Sequence, residues 1–262
     1  MSIELFGQSK PNVARFHNNE VFLKHFPKSV KRFSDKKGDQ QRNLEHHSDF
    51  IRMGYALAPQ SAKFVAAAQS NTKYLLDIAI ACAAIIVLLP LLLLISVLIY
   101  FDSGENPIFR QWRTGLGGRQ FRIYKFRTMR VRECGSNVKQ AERGDSRITK
   151  LGAFLRRSSL DELPQLFNVL KGEMSLIGPR PHAIAHDVEF STIVSNYQHR
   201  FMVRPGLSGL AQVNGARGPT DSIDKIIKRV NYDIEYVKSW SLALDLKIFF
   251  ATLVAVAGHD AF

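Results

Sequence analysis

The chain has 262 residues, with 36 Lys and Arg against 23 Asp and Glu and a net charge of +13. That length suits one domain with appendages, or two small ones, and excludes a carrier that threads a membrane many times. The basic excess calls for an anionic partner (nucleic acid, acidic lipid or a phosphorylated substrate), and two cysteines, Cys82 and Cys134, cannot build a disulfide framework.

Residues 1–72 mix Asn, Gln, Lys, Ser and the histidines His17, His25, His46 and His47 with no sustained period, and read as a basic, disordered segment. A solvated tail is the stronger reading than a metal site at His46–His47, and Lys31, Arg32, Lys36 and Lys37 suit anionic lipid. From Ile78 to Phe101 the chain carries 24 residues without a charge, enough helix for about 36 Å, so segment 73–102 is expected to enter a bilayer. With about 77 residues before it and no small-residue cleavage site after it, the run does not read as a signal peptide. Both flanks are basic: 12 Lys and Arg against 7 acids before the run, 24 against 16 after it. Positive flanks prefer the cytoplasm, which favours a segment that enters and returns. Pro90, near the middle, would break the run into two arms of roughly a dozen residues each, too short to span. A membrane-spanning helix kinked by proline remains the alternative.

Beyond the run, Phe109–Trp112 and Gln120–Phe126 alternate like strands around the glycine turn Thr114–Gly118. A phosphate-cradling loop would need a helix to follow, so these glycines are assigned to the turn. The polar stretch between Val131 and Lys150 reads as a loop able to close over a site. Ile223, Ile226, Ile227, Val230, Ile234 and Val237 recur at helical spacing, with Asp224, Lys225, Lys228 and Arg229 opposite. Leu242–Ala257 is apolar apart from Asp245, Lys247 and Thr252, and suits a helix lying at a membrane interface.

The densest polar chemistry runs from Arg156 to Asn168, followed by Gly178-Pro179-Arg180-Pro181. Adjacent carboxylates, Asp161 and Glu162, at a helix start between arginines could bind a divalent ion and a phosphorylated substrate together. On spacing alone capping is the stronger reading, and the two roles are compatible because a helix N-terminus favours an ionised carboxylate. Ser159 with Glu162 matches a capping box, and Asp161 as N-cap would place Pro164 among the unpaired donors, where it is better tolerated.

At these residues the sequence resembles the bacterial sugar transferases, monotopic phosphoglycosyl transferases that load a sugar phosphate from a nucleotide sugar onto polyprenyl phosphate. The resemblance runs from about Lys73 to Val254 through Tyr124–Met129, Leu160–Gln165, Leu170–Pro181, Arg204–Gly209 and Ala211–Gly215. It implies a small, helix-rich α/β catalytic domain (residues 103–262) on the cytoplasmic face of the bacterial inner membrane, held by a re-entrant helix and interfacial amphipathic helices. It implies Asp161 as nucleophile and Glu162 as a Mg2+ ligand. Arg156 and Arg180 then bind phosphate, with Lys125, Arg127 and Arg204 as second-rank substrate-binding candidates and Arg217 also placed in the substrate-binding set. A carboxylate with an ordinary pKa near 3.9 would be ionised and able to attack the sugar-linked phosphate, expelling UMP and leaving a phosphosugar-aspartyl intermediate for polyprenyl phosphate to attack.

Two departures qualify the resemblance. Leu89 stands where the family usually has serine before the membrane proline, so no hydroxyl can satisfy a freed carbonyl at that bend. Arg217 lies two residues after Gly215, as in the subgroup resembling undecaprenyl-phosphate glucose phosphotransferases, which tilts the donor towards UDP-glucose over UDP-galactose or another UDP-sugar. The expected partners are a UDP-sugar, undecaprenyl phosphate and membrane lipid, with a homo-oligomer and later glycosyltransferases of an exopolysaccharide pathway in view. Nucleic acid is not expected, because the basic residues are spread through the motif blocks without interleaved aromatics. A membrane adaptor that binds acidic lipid without catalysis is the competing class.

Overall fold

The structure, a computed structural model, describes residues 70–130, 145–218, 220 and 222–257. The N-terminal tail with His46–His47, and the polar stretch as far as Gly144, lie outside the described residues.

Helix α1 runs from Asn71 to Ser103. Ser70 caps it, its Oγ accepting from the Lys73 N–H at 3.1 Å, and Gly104 ends it with φ at 68°, where a side chain would be strained. The two arms expected around Pro90 are not separate: the helix is continuous through the proline. Pro90 withholds a single N–H from the ladder, and packing on both sides of it holds the helical path. Ala81, Ala84, Ile85 and Leu88 share a core with Phe121, Ile123, Leu166 and Val169, and Leu88, Leu92, Ile95 and Ile99 share the next with Phe126 and Leu155. The other face, with Leu75, Ile86, Val87, Leu93, Leu94 and Phe101, is exposed and apolar. Among the described residues α1 is the one helix long and apolar enough to cross a membrane.

Strands β1 (Ile108–Thr114) and β2 (Gln120–Phe126) form the expected antiparallel hairpin, in register from Ile108 opposite Phe126 to Thr114 opposite Gln120. Gly117 and Gly118 take φ of 63° and 74° in the turn. Asn168 closes the far edge of β2, donating from Nδ2 to the Arg122 carbonyl at 2.8 Å and accepting at Oδ1 from the Tyr124 N–H at 3.0 Å. That side chain fixes β2 against α3 (Leu166–Leu170) and so sets where Lys125 points.

Helix α2 (Lys150–Arg157) is capped by Thr149, whose Oγ1 accepts from the Gly152 N–H at 2.9 Å. Gly152 lies so close to Thr128 that a Cβ would stand 2.1 Å from the Thr128 carbonyl oxygen, which pins the start of α2 just past β2. A short 3-10 segment, Leu160–Gln165, leads into α3. Strand β3 (Ser175–Ile177) pairs in parallel with β4 (Gly206–Ser208). Helices α4 (Ile184–Ile193), α5 (Leu210–Val213), α6 (Ile223–Ser239) and α7 (Leu242–Ala257), with a 3-10 turn at Tyr197–Met202, make the described residues a helix-rich mixed fold with two small sheets.

Helix α6 buries Ile226, Val230, Ile234 and Val237 as its spacing predicts, but Ile223 and Ile227 are exposed. Arg229, expected on the solvated face, is buried because α6 packs its guanidinium against the loop at Gly218. Helix α7 leaves Leu246, Phe249, Phe250, Leu253 and Val254 exposed, a second apolar face beside that of α1 in character. The two helices are tied by a polar knot: Lys73 Nζ donates to Asp245 Oδ2 at 2.6 Å, and Asp245 also accepts from the Tyr236 hydroxyl at 2.7 Å and Trp240 Nε1 at 3.1 Å.

Candidate active site

The residues from Arg156 to Gln165 turn sharply between α2 and α3. Neither capping arrangement expected from the sequence is formed. Ser159 makes no side-chain cap, Asp161 is not an N-cap, and Leu160–Gln165 is wound as a 3-10 helix. The tighter winding follows from Ser159, whose left-handed conformation (φ 57°) ends α2 and lets the Glu162 N–H donate to the Ser159 carbonyl at 3.2 Å.

Glu162 is the hub of the site. Arg180 grips it as a fork, Nη1 donating to Oε2 at 2.9 Å and Nη2 to Oε1, while Lys125 Nζ donates to Oε1 at 2.9 Å. Burial works to raise the Glu162 carboxyl, but the charges of Arg180 and Lys125 overcome it and hold the group well below the usual range. Lys125 is itself lowered, by burial first, against the pull of Glu162. The Glu162 charge raises Arg180 further.

Asp161 is only 8% exposed. Burial, and next the charge of Glu162, push its carboxyl up to about 6, against the opposing fields of Lys125, Arg156 and Arg180. The ordinary pKa assumed from sequence is therefore corrected upwards. The group is still mostly ionised at neutral pH.

Arg156, in the last turn of α2, directs Nη1 to Met129 Sδ at 3.9 Å and lends its field to Asp161. Arg217 donates from Nη2 to Ser159 Oγ at 2.8 Å and lies within the fields of Arg180, Glu162 and Asp161, with burial lowering its pKa. Thus Lys125, Arg156, Arg180 and Arg217 gather around the dyad. Arg127 and Arg204 do not. Arg127 pairs with Glu105 at 2.6 Å and donates from Nε to the Asn106 carbonyl at 2.7 Å, fastening the end of α1 to β2. Arg204 donates from Nε to the Gly172 carbonyl at 3.0 Å and stacks over Tyr74, 4.7 Å from the ring centre.

Three supporting residues escape sequence reasoning. Arg200 is buried and donates from Nη2 to the Arg180 carbonyl at 2.6 Å, while its Nε holds Asp233 Oδ2 at 2.8 Å. The loop that presents Arg180 is thereby clamped to α6. His182 beside it is held neutral: burial, then Arg200, put its pKa well below the ordinary value, and its Nδ1 lies 2.8 Å from the Tyr197 hydroxyl. Arg113, whose pKa burial lowers to about 10, adds positive field behind Arg180 and Glu162. Nothing in the motif spacing marks Arg113 or Arg200, because a lone arginine in a strand or a turn looks like surface charge.

Magnesium binds through one or two carboxylates plus water and substrate phosphate oxygens, and both oxygens of Glu162 are already taken by Arg180 and Lys125, so Glu162 fits the ion only where one of those cations gives way to it. An all-protein cage does not fit: no group of three or more His, Cys, Asp or Glu that could hold a metal occurs among the described residues.

The buried dyad is ringed by guanidinium and ammonium groups of a kind that suits phosphate oxygens, and α1 packs beside it, apolar and long enough to cross a membrane. The bacterial sugar transferase family matches residues 68–259, and the chain belongs to that family. It is similar to the UDP-glucose:undecaprenyl-phosphate glucose-1-phosphate transferase of Xanthomonas campestris pv. campestris, with 49% identity over 71% of this chain and 39% of that protein. A protein of the same name from Caulobacter vibrioides is 48% identical over 72% of this chain and 70% of that protein. The exopolysaccharide production protein PSS of Rhizobium leguminosarum bv. phaseoli is 44% identical over 68% of this chain and 92% of that protein. The chain thus spans well under half of the Xanthomonas relative and most of the other two.

Proposed function

We propose that this protein transfers a hexose 1-phosphate, by preference glucose 1-phosphate, from a UDP-sugar to undecaprenyl phosphate, initiating an exopolysaccharide repeat. The observation that carries the reading is the division of labour in the dyad. Glu162 is neutralised by Arg180 and Lys125, while Asp161 is desolvated and raised to about 6. The names of the relatives from Xanthomonas and Caulobacter support the donor and acceptor.

An Asp161 carboxylate oxygen attacks the sugar-linked phosphorus, and the bond from that phosphorus to the bridging oxygen breaks. UMP leaves with that oxygen, and a phosphosugar-aspartyl intermediate remains. A phosphate oxygen of undecaprenyl phosphate then attacks the same phosphorus, releasing the Asp161 carboxylate and forming the lipid diphosphosugar. Both steps bring anions together, so Arg180, Arg156 and Arg217 would neutralise the phosphoryl oxygens as charge gathers on them. Magnesium, taking the place of Lys125 or of one arm of Arg180 on Glu162, would supply further neutralisation of the donor diphosphate.

The anchor fits a monotopic protein at the cytoplasmic face of the inner membrane. Lys73 at the start of α1 and Ile99 near its end are both fastened to the same domain, so the continuous helix lies along that domain at both ends, as a segment kept to one face of the membrane requires. The exposed apolar faces of α1 and α7 would meet lipid. Purified full chain in detergent, given undecaprenyl phosphate and a panel of radiolabelled UDP-sugars, is expected to load lipid fastest from UDP-glucose. No lipid product from any donor would refute the reading.

The acid limb of the rate should report Asp161. The kcat/KM for donor is expected to fall tenfold per pH unit below about 6, because protonation removes the attacking lone pair. A flat profile down to pH 5 would contradict the assignment. In stability the sign is opposite: a carboxyl raised from 3.8 contributes stability that is fully present below 3.8 and lost as pH rises through about 6. Asp187, also pushed up to about 6 by burial, acts in the same direction on stability, so the kinetic profile is the discriminating one.

A further inference from the structure

Ser159 is the one residue other than glycine with a positive φ among the described residues, at φ 57° and ψ 13°. The left-handed region costs a residue with a Cβ roughly 1 kcal/mol or more, and such strain persists only where its surroundings enforce it. Glycine would occupy this turn without that cost, so the serine side chain needs its own explanation.

The surroundings supply it. The Ser159 N–H donates to the Arg156 carbonyl at 3.2 Å and its carbonyl accepts from the Glu162 N–H at 3.2 Å. One residue therefore ends α2 just after Arg156 and starts the turn that carries Asp161 and Glu162. Its hydroxyl does something different: Oγ accepts from Arg217 Nη2 at 2.8 Å, across 58 residues of sequence. The backbone on either side of Arg217 is held independently, by Arg229, which donates from Nε to the Ala216 carbonyl at 2.9 Å and from Nη2 to the Gly218 carbonyl at 2.6 Å. Arg229 fixes where the Arg217 loop lies, and Ser159 fixes where its guanidinium points.

We propose that Ser159 is a positioning residue for the transfer reaction: its hydroxyl aims the Arg217 guanidinium at the phosphoryl group that Asp161 receives. The inference rests on the reading of Asp161 as the nucleophile. A neutral hydroxyl suits the task because it engages one of the five N–H donors of the guanidinium and leaves the others, and the full positive charge, for phosphate oxygens. A carboxylate there would take the fork in both arms and cancel the charge. The left-handed turn joins the residue that bears the hydroxyl directly to the segment that bears the dyad, so the strain is kept as part of the site.

Ser159→Gly separates the two roles, since glycine accepts the left-handed turn but has no hydroxyl. Its melting temperature is expected to equal or exceed that of the parent, while kcat for sugar-phosphate transfer falls about tenfold or more and KM for UDP-sugar changes little. Ser159→Asn, which tolerates the turn and offers Oδ1 to Arg217, should recover much of that loss. In an Arg217→Ala background, Ser159→Gly should cost almost nothing further. The proposal is overturned by an undiminished rate in Ser159→Gly, by losses that multiply independently with Arg217→Ala, or by a rate loss matched by a lower melting temperature. An inactive parent chain would instead refute the transferase reading itself, and so the two failures are distinct.

Discussion

Asp161→Asn is expected to abolish loading of lipid with sugar phosphate and, at the same time, to raise the melting temperature of the protein at neutral pH. The amide keeps the shape of the side chain but is not a nucleophile, so transfer should fall by at least about a thousandfold. The gain in stability follows from the cost of keeping this carboxylate charged in a buried site beside Glu162. A pKa raised from 3.8 to about 6 corresponds to destabilisation on the order of 1–3 kcal/mol at pH 7, which a neutral isostere removes. Radiolabelled transfer and thermal unfolding in one detergent preparation measure both. Retained transfer would exclude Asp161 as nucleophile, and a lower melting temperature would show that the desolvation argument is mistaken.

Glu162→Gln is expected to have the opposite effect on stability. Without the carboxylate, the Arg180 guanidinium and the Lys125 ammonium, both now within hydrogen-bond reach of Glu162, are left facing one another with no counter-charge between them. Removing one partner from a buried ionic cluster costs about 3–5 kcal/mol, so the melting temperature should drop markedly together with activity. Glu162→Asp keeps the charge on a stem one methylene shorter, which cannot reach Lys125 and both arms of Arg180 at once. It is expected to fold better than Glu162→Gln and yet transfer poorly. A Glu162→Gln protein as stable as its parent would mean that the three-way ion cluster does not form.

Much of this arrangement is legible in the sequence, and the parts that are not share a cause. The β1–β2 hairpin follows from strand alternation around a glycine turn, and α1, α6 and α7 follow from runs or stripes of apolar residues. The dyad and the arginines beside it are visible as a dense motif. What the sequence hides is which charged residues are buried. Arg229 sits on the polar side of the α6 stripe by spacing, yet the Gly218 loop folds over it. Arg127 and Arg204 have the same chemistry as Arg156 and Arg180, but their partners, Glu105 and the Gly172 carbonyl, lie away from the dyad. Local pattern assigns a residue to a face of its own element, and tertiary partners decide what covers that face. Pro90 and Ser159 show the same limit for the backbone. A proline reads as a break where packing on both sides keeps α1 continuous, and a serine before two acids reads as a cap where the chain instead needs a left-handed turn.

The central claim is that Asp161 carries the sugar phosphate between donor and lipid. Incubating the full chain with UDP-glucose and no acceptor, quenching it and mapping its peptides by mass spectrometry tests this directly. The account predicts one equivalent of UMP released and a hexose-phosphate adduct on the peptide containing Asp161, both lost in Asp161→Asn. UMP release that occurs only when undecaprenyl phosphate is present, with no adduct on any peptide, would contradict it.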